Sequence, residues 1–113
     1  TSTMKITHII HWPAIVYYDN DPELEWIENA TDWQCWLEQA GSNLTDADRL
    51  IDSLGQSYRI DIAADRLVKM DQLSLVVVLG LVKAHLADAG ACCVAKTVAP
   101  DIASALEMVA PRL

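Results

Sequence analysis

The sequence predicts an α+β fold: a single domain over residues 1–113, with a mostly antiparallel sheet and about three helices packed on it. Three observations carry that expectation. Short runs rich in Ile, Val, Tyr and Trp, parted by Asp/Asn/Gly/Pro turn chemistry, fill the front of the chain. Apolar residues at helical spacing with capping residues recur in three places. The 113 residues are 52% apolar, enough for one core and too few for a second.

Ile6 to Trp12 is apolar and β-branched until Pro13 interrupts any ladder, which suits an edge strand or an extended lead-in. Ala14 to Tyr18 reads as strand, and Asp19-Asn20-Asp21-Pro22 as a turn. Glu23 to Ile27 alternates, with Leu24 and Trp26 on one face and Glu23 and Glu25 on the other, so a hairpin results. The alternative is a helix starting at Asp21 with Pro22 in its first turn, which would take Trp26 off the Leu24–Ile27 stripe. Thr31 to Ala40 is a helix with Thr31 and Gln34 as a capping box, Gly41 as its stop, and Trp33, Trp36, Leu37 and Ala40 on one face.

Thr45 to Gly55 admits two readings. Ala47, Leu50, Ile51 and Leu54 fit a helix, whereas Asp52-Ser53-Leu54-Gly55 fits a type I turn with Asp first and Gly fourth. The strand-like residues from Ser57 to Ile62 favour the hairpin, and Arg66 to Met70 adds a short strand. Ser74 offers an N-cap, with Leu73 and Val78 placed as a hydrophobic staple, for a long apolar helix near 75–89 that ends at Gly90. This helix is apolar on nearly every side, which predicts a central core element. Cys92 to Val98 reads as a buried strand. Pro100 then opens a last helix with Ile102, Leu106 and Val109 inward and Pro111 beyond it. All the helices are expected on one face of the sheet.

Charge and hydropathy are unevenly spread. Between Asp19 and Asp52 stand ten carboxylates against one base, Arg49, within a chain of net charge −8. Such a field repels phosphate backbones, so neither nucleic acid nor an anionic membrane is an expected partner. From Asp71 to Leu113, 27 of 43 residues are apolar and seven are charged. That surplus predicts either a very buried central helix or a surface through which copies associate. The longest uncharged apolar-rich stretch, Gln72 to Val82, falls far short of the roughly twenty residues of a spanning helix. Three cysteines (Cys35, Cys92, Cys93), two of them adjacent, and no visible secretory leader point to a reducing cytoplasm.

Motifs for chemistry are thin. Asp19, Asp21, Glu23 and Glu25 alternate like calcium ligands, but the sixth and twelfth loop positions hold Leu24 and Ala30 in place of Gly and Glu. His8, His11, His85, Cys92 and Cys93 contain no zinc-finger spacing. His85 late in a helix suits the negative end of its dipole. Cys92 lies among Cys, Val and Ala, and reads first as a small buried hydrophobe. Trp12, Trp26, Trp33 and Trp36 beside carboxylates suggest either a platform for a sugar or a cation, or a core layer, which is the commoner arrangement. No cofactor motif and no metal site is expected.

His11-Trp12-Pro13, Leu50-Ile51-Asp52-Ser53 with Gly55-Gln56 and Tyr58, and Ala84-His85-Leu86 with Gly90 and Cys92-Cys93 resemble a family of small uncharacterised bacterial proteins. The resemblance spans most of the chain and implies a bacterial cytoplasmic setting, with no catalytic or binding residue to carry over. The residues themselves favour a non-catalytic interaction or regulatory module. Asp46, Asp48 and Asp52 are the candidate contacts to a basic protein partner, and the apolar rear is the candidate for self-association into a homo-oligomer. The rival class is a small-molecule binder or small enzyme with a pocket near the tryptophans, His11 or Cys92.

Overall fold

The computed structural model describes residues 10–19, 21–40, 45, 47–61, 66–90 and 97–110. The elements follow in the order β1 (Ala14–Tyr17), β2 (Leu24–Ile27), α1 (Ala30–Ala40), β3 (Arg49–Ile51), β4 (Gln56–Asp61), β5 (Arg66–Gln72), α2 (Leu75–Asp88) and α3 (Ile102–Glu107). The strands form a five-stranded sheet in the order β2-β1-β3-β4-β5, with antiparallel pairing throughout. The α+β expectation holds.

The helices occupy both faces of the sheet instead of one. Trp33 of α1 is buried against Ala14, Val16, Ile27, Leu50, Tyr58, Ile60 and Leu67, while α2 and α3 cover Ile15, Leu24 and Ile51 on the opposite face. Successive strand residues point to opposite faces, so a strand covered on both sides is apolar at every position. Ala14, Ile15 and Val16 all have 0% exposure, and Leu50 and Ile51 have 0% and 1%. The middle strands are therefore sandwiched.

Two expected turns hold and two helix boundaries are corrected. β1 and β2 make the first hairpin, with the Asp21 carboxylate accepting the Glu23 N–H at 2.9 Å, so no helix begins at Asp21. Residues 52–55 turn between β3 and β4, closed by the Gly55 N–H donating to the Asp52 carbonyl at 2.9 Å. Gly55 has a φ of 82°, and a Cβ there would lie 2.6 Å from the Leu73 carbonyl oxygen. The N-cap of α1 is Asn29, whose side-chain oxygen accepts the Asp32 N–H at 2.9 Å. Thr31 lies in the first turn, too late to cap. Asp101 caps α3 by accepting the Ser104 N–H at 2.8 Å, so Pro100 precedes the cap and does not open the helix. Ser74 caps α2 as expected, accepting from Val77.

The β4–β5 ladder shifts register between Gln56 and Tyr58. The side chains of Gln56 and Ser57 donate to the Met70 and Asp71 carbonyls at 2.8 and 2.7 Å, so the irregularity leaves those acceptors satisfied.

α2 is not the central element. Val78 and Val82, one turn apart, are its buried residues, whereas Val76 is 80% exposed and Val77 47%. A helix laid on a sheet from outside buries one stripe, and its remaining apolar side chains face water. Of the expected strand Cys92–Val98, Thr97 and Val98 have no strand geometry and Val98 is 77% exposed. Cys92, Cys93 and Lys96 lie outside the described residues, as do His8, Gly41, Asp46 and Pro111.

Candidate functional site

Asp48 and Asp52 are structural carboxylates, which corrects their expected role as surface contacts. Asp52 has 0% exposure. One of its oxygens accepts the N–H groups of Leu54 and Gln56 at 2.9 and 3.1 Å, and the other faces the His11 N–H at 3.4 Å. Asp48, 4% exposed, accepts from Asp19 at 3.1 Å and Thr45 at 2.9 Å. Each aspartate spends its charge on main-chain donors that would otherwise be stranded at a strand end.

A group of exposed acids lies elsewhere: Asp19, Asp21, Glu23, Glu28 and Asp32 line the β1–β2 turn, the two ends of β2 and the first turn of α1, while Glu38, Asp71, Asp88, Asp101 and Glu107 are exposed on other parts of the molecule. Glu25 is half-buried on β2, and burial, then Glu23, push its carboxyl above the usual range, with His85 opposing. The described lysines and arginines sit on β3, β4, β5 and α2. Acid thus gathers round β2, one border of the described sheet.

On the α2/α3 side of that border, Trp26, Ser104, Glu107, Met108 and Ala110 line an open hollow of about 470 Å³. Trp26 gets there by strand parity: it pairs with Ile15, whose face is the α2/α3 face. His85, in the last turn of α2, accepts the Leu24 N–H on Nδ1 at 3.0 Å. His85 thus stands in the last turn, where it was expected, and its imidazole ties the helix to β2. Alternation along β2 placed Trp26 inward in the sequence. Nothing there indicates that β2 is a border or that α3 ends beside it, so the hollow was not legible.

The remaining tryptophans belong to the other face. Trp33 and Trp36 stack at 5.3 Å and 13°, with Tyr18 6.5 Å from Trp36. Trp33 has 0% exposure and its indole N–H has no acceptor among the described residues, so this stack is core and not an open ligand platform. Burial, then Glu25, push the Tyr18 phenol up to about 12, opposed by a hydrogen bond from Trp36. His11 is exposed beside the 52–55 turn, and Cys35 is exposed on α1. Among the described residues, Trp26 lines its hollow without Trp33 or His11. Among the described residues, no three of His, Cys, Asp and Glu are grouped to hold a metal ion, and no helix is long and apolar enough to cross a membrane.

Residues 12–109 match the model of DUF4144, described as a protein structure with unknown function. The chain belongs to the DUF4144 family. Among solved structures, it is similar to the NMR structure of the protein from Shewanella Amazonensis, at 21% identity and a TM-score of 0.73, covering 96% of this chain and 91% of that one. At that identity the likeness shows the fold. No curated protein matches. In this DUF4144 member the β2 border carries exposed acids and the outer face of α2 carries exposed valines.

Proposed function

We propose that this DUF4144 member is a non-catalytic interaction or regulatory module of the bacterial cytoplasm, engaging a basic protein through the acidic border around β2. The observation that carries this reading is segregation of charge. Asp19, Asp21, Glu23, Glu28 and Asp32 are exposed together, while the described bases lie on other strands and on α2. Like charges on one surface speed encounter with an oppositely charged partner and disfavour phosphate-bearing ones.

The test is capture from the native host's lysate by the immobilised protein, beside a variant with Asp21→Asn, Glu23→Gln, Glu28→Gln and Asp32→Asn combined. A partner retained at about 50 mM salt and lost at about 300 mM or by the variant supports the reading. Capture indifferent to both salt and neutralisation overturns it.

Self-association is a second part of the proposal, supported by the exposed Val76 and Val77 and by Gly80, where an added Cβ meets nothing within 4 Å. An uncharged strip of this kind suits a second copy of α2. Light scattering at high micromolar concentration is expected to give a dimer mass, and Val76→Asp a monomer. A monomeric parent protein overturns this part.

A further inference from the structure

In an antiparallel ladder, the N–H and C=O of successive residues point alternately toward and away from the neighbouring strand. Among the described strands β2 pairs with β1 alone. Leu24 directs its N–H away from β1, to His85 on α2. Two residues on, Trp26 turns its own N–H and C=O the same way, off the border of the sheet. Its side chain meanwhile forms one wall of the hollow shared with Ser104, Glu107 and Met108. Among the described residues, main-chain bonding capacity and a side-chain socket thus meet at one residue.

We infer that this border is the seat of an extended basic segment of a partner protein, which adds as a strand beside Trp26 and sets a lysine or arginine side chain into the hollow. The inference rests on the reading that the acidic border meets a basic protein, and it specifies how. In an added antiparallel strand, the residue opposite Trp26 shares its face of the sheet. The aliphatic stem of that residue lies along the indole and Met108, and its cation reaches the indole face and the Glu107 carboxylate. The next residue of the guest points to the other face, where Glu25 projects. A second positive charge there relieves a carboxyl already disfavoured by burial and by Glu23. Two adjacent basic residues in a β-forming context therefore fit best.

His85 sets the register. With the Leu24 N–H taken, a guest strand bonds from Trp26 toward Glu28 and not along the whole of β2. A second copy of β2 is the wrong guest: antiparallel self-pairing would bring Glu23, Glu25 and Glu28 of both copies together.

The probe is a fluorescein-labelled peptide of about eight residues, alternating valine and threonine round a central lysine-arginine pair. Its companions carry either two glutamines in place of the pair, or the same charges with N-methyl groups on alternate amides. Fluorescence anisotropy with the full chain is expected to show binding by the parent peptide and roughly tenfold weaker binding by each companion. Glu107→Gln is expected to weaken the parent peptide about fivefold. By NMR, the Trp26 amide should exchange fast in the free protein and become protected on binding.

Equal binding of the N-methylated peptide, no effect of Glu107→Gln, or a Trp26 amide already protected in the free protein overturns the seat. If the methylated peptide binds as well as its parent, and neutralising the exposed acids abolishes both, the strand seat falls while the acidic-border reading stands. If no basic peptide binds while lysate capture remains charge-dependent, again only the seat falls.

Discussion

The two faces of the sheet are covered by helices of opposite character. α1 is an ordinary amphipathic helix: Trp33 is buried, Trp36 and Leu37 are half-buried, and Thr31, Asp32, Glu38 and Gln39 meet solvent. α2 buries Val78 and Val82 and turns Val76, Val77 and Gly80 outward, with no charged residue between Gln72 and Val82. One stripe per helix is all that a sheet can cover. For α1 the sequence carries apolar residues where they are covered and little beyond. For α2 it carries a surplus that folding of one chain leaves in water, and that surplus is what the proposed self-association would cover.

The contrast can be broken by substitution. Trp33→Ala removes the largest fully buried side chain and should cost about 3–5 kcal/mol in urea unfolding. Val78→Ala, at the buried stripe of α2, should cost about 2 kcal/mol. If the second exceeds the first, α1 is not the better-anchored cover. On the outer side of α2 the sign reverses. Gly80→Ala adds a methyl in open space and restores helix propensity, so it should raise stability by about 0.5–1 kcal/mol in dilute solution. A loss there would mean that the outer face is packed.

The last effect, seen only at alkaline pH, concerns the margin of the α1 face. The Tyr18 phenol ionises near 10 in the unfolded chain and at about 12 in the folded one. The unfolded state therefore releases this proton first, and the stabilisation Tyr18 contributes is complete below pH 10 and lost as pH rises through 12. Tyr18→Phe should flatten that part of the alkaline decline, measured by denaturant unfolding at stepped pH. An unchanged slope would mean that the ring is better hydrated than its contacts with Trp36 imply.

Local chemistry was legible and layering was not. Pro22 and Asp21, the Asp52-Ser53-Leu54-Gly55 turn and the Ser74 cap are short-range signals, and each stands where it was read. Which face a helix covers depends on strand order, which no single segment encodes. A clue was present: three consecutive buried residues, Ala14-Ile15-Val16, suit a strand covered on both sides, whereas a one-sided sheet favours alternation. Asp52 was read twice, as the first residue of a turn and as a partner contact. A turn's leading aspartate commonly gives its carboxylate to the main chain ahead, so the two roles compete for the same oxygens. Asp48 bonds both locally, to Thr45 three residues before it, and to Asp19, 29 residues away, and only the first of these could be signalled by neighbouring residues.

The sheet order has a kinetic side. β1 with β2, and β3 with β4 and β5, are each sequence-local assemblies, and they meet at a seam where Ile15 lies opposite Ile51. Closing that seam needs a long loop, through α1, to be ordered, so it should form late, after the hairpins on either side. A chain cut between α1 and β3 would separate the molecule into those two blocks. Reassociation of the fragments would show that zippering the seam, and not the peptide link across it, unites the protein.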